Sequence, residues 1–185
     1  MTYCSACGHS TSSRIPPGDN RPRDCCNHCG VVHYVNPRPV VGTIPIWGTQ
    51  VLLCKRAIEP RLGKWTLPAG FMEVGETTGD GALRETLEEA GARVKLGPLF
   101  SMIDVPHVQQ VHIFFQAELI DTNFSAGTES LEVRLFEEDE IPWNELAFRT
   151  VSTTLQLYFG DRARGAFGTY SRAIGAVPSA GGASA

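Results

Sequence analysis

The 185-residue chain has little of what marks a nucleic-acid binder, a membrane protein or a secreted scaffold. Sixteen basic against twenty acidic residues leave a formal net charge of −4. No diffuse basic field exists to capture a long phosphate backbone, so nucleic acid is not the expected partner. No run approaches the roughly 18 apolar residues a spanning helix needs, so no membrane partner is expected. Met1-Thr2-Tyr3-Cys4 opens without the basic stretch and apolar run of a signal peptide, and a cytoplasmic location is the expectation. Without an export signal, the six cysteines read as metal ligands or buried thiols rather than disulfides. Internal repeats of useful length are also lacking.

What remains is the composition of a folded protein, 42% hydrophobic and 19% charged, enough for one well-cored domain with a small attachment. The texture changes near residue 37. Before it, aliphatics are sparse, five of the six cysteines gather, and Pro16-Pro17-Gly18-Asp19-Asn20-Arg21-Pro22 is rich in turn formers. After it come short apolar runs with strand character, 40–46 and 51–54 as a hairpin, then 64–68, 94–105, 111–117 and 131–136. Helix signals occur at 77–90, with Thr77 as cap and Gly91 as stop, and at 146–159, stopping at Gly160. Strands flanked by two such helices predict a mixed α/β layered domain.

Cys4-Ser5-Ala6-Cys7-Gly8 and Cys26-Asn27-His28-Cys29-Gly30 are two C-x-x-C-G turns separated by 18 residues, a spacing that fits a zinc site. Cys4, Cys7, Cys26 and Cys29 would close a tetrahedral sphere and leave no position for water, so the Zn2+ is expected to be structural. It would supply folding energy to a module too small for its own core. Cys25 is a spare thiol, His9, His28 and His33 are alternative ligands on loops, and Cys54 is a small core residue.

On a helical wheel of about 100° per residue, Glu85, Glu88 and Glu89 share one sector, while Leu83, Leu87 and Ala90 lie opposite as a candidate buried stripe. Three carboxylates facing one point repel one another. An arbitrary helix would carry them as a solvated acidic face. A hard divalent cation would give them a common purpose, since hydrolysis of a diphosphate needs phosphate charge neutralised and a water oriented.

The surrounding residues favour that second reading. Gly70, five residues, Glu76, seven residues, then Arg84-Glu85-Thr86-Leu87-Glu88-Glu89-Ala90-Gly91-Ala92 resembles the Nudix box, and every fixed position matches. Thr86 and Ala92 stand where that pattern asks for bulkier aliphatics. The resemblance implies an α/β/α sandwich with a mixed sheet. It implies Mg2+ or Mn2+ held by Glu85, Glu88, Glu89 and the Gly70 carbonyl, with Glu76 and Arg84 bracing the loop against the helix. The general base is Glu85 or a carboxylate of the loop Gly127-Thr128-Glu129-Ser130-Leu131-Glu132, where Glu132 is preferred over Glu129.

Tyr34-Val35-Asn36-Pro37, Lys64-Trp65-Thr66-Leu67-Pro68-Ala69-Gly70 and Glu129-Ser130-Leu131-Glu132 resemble the zinc-ribbon Nudix branch that includes FAD and ADP-ribose pyrophosphatases. Pro106 is similar to a proline in ADP-ribose-cleaving relatives. These resemblances imply a small nucleotide conjugate as substrate, ADP-ribose or FAD, with release of AMP. NADH pyrophosphatases are the enzymatic alternative, but their S-Q-P-W-P-F-P stretch is replaced here by Leu99-Phe100-Ser101-Met102-Ile103-Asp104-Val105-Pro106. A Nudix-fold sensor that binds nucleotide or RNA without turnover is the other alternative. The implied organisation is a zinc ribbon over 1–37, a Nudix hydrolase domain over 38–168, and a flexible tail over 169–185. No substrate-stacking aromatic is assignable among Phe71, Phe114, Phe115 and Tyr158. A homodimer through the ribbon or an exposed sheet edge would fit related pyrophosphatases.

Overall fold

In the computed structural model the described residues are 1–175. Contacts divide them into a unit of Met1–Asn36 and a second unit that begins at Pro37. The first is a small antiparallel sheet of β1 (Thr11–Arg14), β2 (Arg23–Cys26) and β3 (Val32–His33), in that order. Its two cysteine turns each end on a glycine in the left-handed region, Gly8 at φ 73° and Gly30 at φ 74°. A side chain at either position would be strained, which explains the repeated C-x-x-C-G signature.

The second unit is a mixed sheet between two helices. Its strands are β4 (Arg38–Trp47), β5 (Gln50–Arg56), β6 (Trp65–Thr66), β7 (Ala69–Phe71), β8 (Val94–Val105), β9 (Gln110–Leu119), β10 (Ser130–Phe136) and β11 (Tyr170–Ala173). The main order is β10-β5-β4-β9-β8-β11, with β6 on β5 and β7 on β4. The β4–β9 and β8–β11 pairs are parallel and the others antiparallel. Helix α1 (Thr78–Ala90) covers one face, where Ala90 packs with Leu52, Cys54, Ala92 and Leu119. Helix α2 (Arg149–Arg164) covers the other, with Val151, Leu155, Tyr158 and Phe159 against Ile44, Leu53, Phe100 and Phe114. Strand alternation, the apolar face of α2 and the small-residue face of α1 thus produce the expected α/β/α layering.

Three expectations need correction. Helix α2 begins at Arg149 rather than 146 and runs through Gly160 to Arg164, stopping at Gly165 with φ 67°. Residues 146–148 are instead held as extended chain, the Ala147 N–H donating to the Trp65 carbonyl at 2.8 Å. The chain beyond 168 does not begin as a tail. Tyr170–Ala173 extends the sheet beside β8 and Ile174 is buried. Its anchor is the wholly buried Asp161, which accepts hydrogen bonds from the Tyr170 hydroxyl and, at 2.8 Å, from the Gly168 N–H. The tail expected over 176–185 lies outside the described residues. The third concerns α1. Its buried residues are Gly81, Ala82, Thr86, Glu89 and Ala90, whereas Leu87 is 52% exposed.

Candidate active site

The small buried face of α1 lets the helix lie close to the sheet, and this closeness builds the site. A Cβ on Gly81 would stand 2.8 Å from the Val41 side chain and 2.6 Å from Glu76. Thr86 Oγ1 meets Thr43 Oγ1 at 2.7 Å and donates to the Ala82 carbonyl at 2.7 Å. Both threonines are wholly buried, so a polar pair occupies the place of the bulkier aliphatic. The helix is set by a Thr77 cap whose hydroxyl accepts from the Asp80 N–H, and by Gly91 in the left-handed region.

The carboxylates then project between α1 and β7. Glu89 is only 7% exposed and accepts a 3.0 Å hydrogen bond from the Ala69 N–H. Burial pushes its pKa up to about 7, with the Ala69 N–H opposing and the Glu85 charge adding to the rise. Burial also raises that of Glu85, against the pull of Arg84. Glu85 lies so close to Gly70 that a Cβ there would be 2.3 Å from Oε2, so any side chain at that position would displace the Glu85 carboxylate.

Arg84 holds the arrangement together. It donates to Glu76 at 2.8 and 3.1 Å, to Glu85 at 2.7 Å, to Glu88 at 3.1 Å and to the Phe71 carbonyl at 3.1 Å. Glu76 also accepts from the Glu73 N–H at 2.6 Å, and the Arg84 contact holds its carboxyl below the usual range. Glu76 and Arg84 therefore tie the loop after β7 to α1.

A cleft of about 1380 Å³ opens over this wall, lined by Gly70, Arg84, Glu85, Glu88 and Glu89 among others. Glu129 lines it too, and Glu132 does not. Glu132, the carboxylate preferred from the sequence, sits on β10 with its carboxylate 3.8 Å from Lys55 Nζ, so of the two it is Glu129 that lies along the cleft. The reason is backbone geometry. The Ser125 and Gly127 N–H groups donate to the Ala90 and Glu89 carbonyls at 2.9 and 3.0 Å, pressing this loop onto the end of α1. A Cβ on Gly127 would fall 1.8 Å from the Glu88 carbonyl oxygen. Gly127 was the sequence signal for this close approach.

An all-oxygen donor set with partly desolvated carboxylates fits a hard divalent cation. The carboxylates are nevertheless spread. Among the described residues, only Cys4, Cys7, Cys26 and Cys29 bring ligand atoms within 4.8 Å of one another. Those sulfurs, contributed by the two glycine-ended turns, suit zinc. The Cys29 and His28 N–H groups donate to Cys26 Sγ at 3.4 Å each and pull its pKa down to about 6. His33 Nε2 is 3.3 Å from Cys4 Sγ, while Cys25 is buried and points to the Arg14 and Arg23 carbonyls.

Sequence reasoning did not find the rest of the cleft's lining. Arg56, Arg61, Trp143, Phe148, Arg149 and Thr150 line it. They come from three separated segments, and no local motif marks them. His112 lines the cleft as well, and burial pushes its pKa down to about 4, so it is neutral near pH 7.

Residues 36–154 match the NUDIX domain family and residues 2–35 match the family described as Nudix N-terminal, a zinc ribbon. The chain belongs to the Nudix family, and its fold and acidic cleft are those of a Nudix pyrophosphatase carrying an N-terminal zinc ribbon. It is similar to a NUDIX hydrolase from Nitrosomonas europaea, at 51% identity, a TM-score of 0.92, and coverage of 95% of this chain and all of that one. An ADP-ribose pyrophosphatase of Methanocaldococcus jannaschii is 32% identical over 121 residues, 62% of this chain and 69% of the relative. The NAD-capped RNA hydrolase NudC of Salmonella heidelberg is 30% identical over 141 residues, 76% of this chain. The chain spans 53% of that relative's length. Among the described residues no helix is long and apolar enough to cross a membrane.

Proposed function

We propose that this chain hydrolyses the diphosphate of a small nucleotide conjugate, ADP-ribose before FAD, in a reaction that needs Mg2+ or Mn2+. The observation that carries the reading is the wall formed by Glu85, Glu88, Glu89, Glu129 and Gly70 along one cleft. A divalent cation there would neutralise phosphoryl charge and make a water more acidic. Glu85, Glu88, Glu89 and the Gly70 carbonyl are the residues that would hold it.

The remaining tasks belong to the chain's own groups. Arg84 keeps Glu85 and Glu88 side by side, and Glu76 keeps Arg84 in place. Glu129, or Glu85, takes the proton of the attacking water. The water oxygen bonds to one phosphorus as the bridging P–O bond breaks, and a second phosphate leaves. ADP-ribose would give AMP and ribose 5-phosphate.

The M. jannaschii relative supports ADP-ribose. The S. heidelberg relative supports a second reading, cleavage of an NAD-type conjugate, free or at an RNA end. Intact carboxylates weigh against a sensor without turnover. The test is incubation with Mg2+ and ADP-ribose, FAD, NADH or NAD-capped RNA, followed by chromatography of the products. Monophosphate release, fastest from ADP-ribose, is expected. Tight binding with no product from any of the four would sink the hydrolase reading.

A further inference from the structure

The same cleft is also lined by the start of α2 and by Arg56, whose charge reaches Glu89, and this part of the lining is arranged for negative charge. The residue before α2 is Phe148, which makes no side-chain capping bond, and the first turn holds no acidic residue. The Val151 N–H donates to the Phe148 carbonyl at 3.1 Å, which leaves the Arg149 and Thr150 N–H groups and the positive end of this 16-residue helix without their usual compensation. Arg149, at the first helical position, adds positive charge where helices normally place a carboxylate.

Thr150 follows, and it supplies an independent observation. It is 3% exposed and lines the cleft. Its Oγ1 is the one buried side-chain polar atom without a hydrogen-bond partner among the described residues. Native folds rarely leave such an atom unpaired, and a ligand oxygen is one way to pair it.

Two guanidinium groups belong to the same wall. Arg149 donates to the Gly175 carbonyl at 3.2 Å. Arg56 donates to the Pro60 carbonyl at 2.9 Å and lies 5.1 Å from the Phe148 ring centre. Among the described residues neither forms an ion pair with a carboxylate. Uncapped helical N–H groups, an orphan hydroxyl and unpaired arginines are together the donor set of a phosphate site.

We propose that the start of α2, with Thr150, Arg149 and Arg56, binds a phosphate monoester on the substrate, distinct from the diphosphate that is cleaved. The favoured substrate class is then a nucleotide conjugate bearing an additional phosphoryl group. The inference rests on the hydrolase reading for the placement of the diphosphate at the carboxylates, and it deepens that reading.

Calorimetric titration without divalent cation tests it, because binding is read with no turnover. AMP is compared with adenosine 2′,5′-bisphosphate and adenosine 3′,5′-bisphosphate, on wild type, Thr150→Val and Arg149→Gln. Thr150→Val keeps the side chain's shape and removes only an unpaired hydroxyl. One of the bisphosphates should bind at least about 10-fold more tightly than AMP to the wild type, as expected for charge-assisted hydrogen bonds. That advantage should shrink at least about threefold in one or both variants. No advantage over AMP in the wild type, or an advantage undiminished in both variants, overturns the site. A protein that hydrolyses ADP-ribose yet shows no such preference leaves the function standing and removes this inference alone.

Discussion

Thr86 occupies a position where the box asks for a bulky aliphatic, and its hydroxyl bond to Thr43 explains the exchange. The pair is wholly buried, so Thr86→Val strands the Thr43 hydroxyl and should cost about 1–3 kcal/mol in denaturant unfolding. Replacing both residues with valine should recover most of that loss. No recovery in the double variant would show that the pair is not the reason for threonine. The neighbouring carboxylates make the kinetic prediction. Glu85→Gln or Glu88→Gln should lower turnover by roughly 10²-fold or more. Glu129→Gln should also slow the reaction, whereas Glu132→Gln, an exposed strand residue beside Lys55, should stay within about threefold of wild type. Equal losses at Glu129 and Glu132 would contradict the placement of that loop. The box residues were legible because their spacing is fixed by one helix and one turn. Glu129 was not separable from Glu132 in the sequence, since the choice depends on how closely Gly127 approaches α1.

Elements were legible where periodicity and caps agreed, as in α1, whose Thr77 and Gly91 boundaries follow from local chemistry. The same reading misjudged which side of α1 is buried. Leu87 looked like core on a helical wheel, but Gly81 and Ala82 permit a closer approach to the sheet and turn Glu89 inward. At the other end of the fold, β11 carried no strong strand signal, because its attachment depends on Asp161 of α2 rather than on apolar alternation. The Tyr170 hydroxyl and the Gly168 N–H hold the Asp161 carboxyl below its usual range. A carboxylate whose pKa is depressed by folding adds stability above its unfolded value of about 3.9, and loses it as pH falls through the folded value. Asp161→Asn should therefore lower the melting temperature clearly at pH 7, with the gap to wild type closing below about pH 4. A gap that stays constant across that range would rule out this linkage.

The whole chain divides at Asn36, where composition and contacts both change. Cysteine spacing made the ribbon legible without any core, because metal ligation would substitute for burial in so small a unit. A thiol titration with a chromogenic zinc indicator should find about one zinc per chain, lost in Cys4→Ser and Cys29→Ser. A full complement of zinc in either variant would move the ligand set elsewhere. What the sequence did not carry is the extent of the cleft, since Arg56, Phe148 and Arg149 meet there only through the packing of β5 and α2.

The central claim is that the α1 carboxylates gather a divalent cation for diphosphate cleavage. It is tested most directly by measuring AMP release from ADP-ribose as Mg2+ is titrated, on wild type and Glu85→Gln in parallel. Release that is absent without Mg2+, saturates with it in the wild type, and stays near background in the variant is the predicted result. Equal release with and without Mg2+, or an unchanged Mg2+ response in Glu85→Gln, would contradict it.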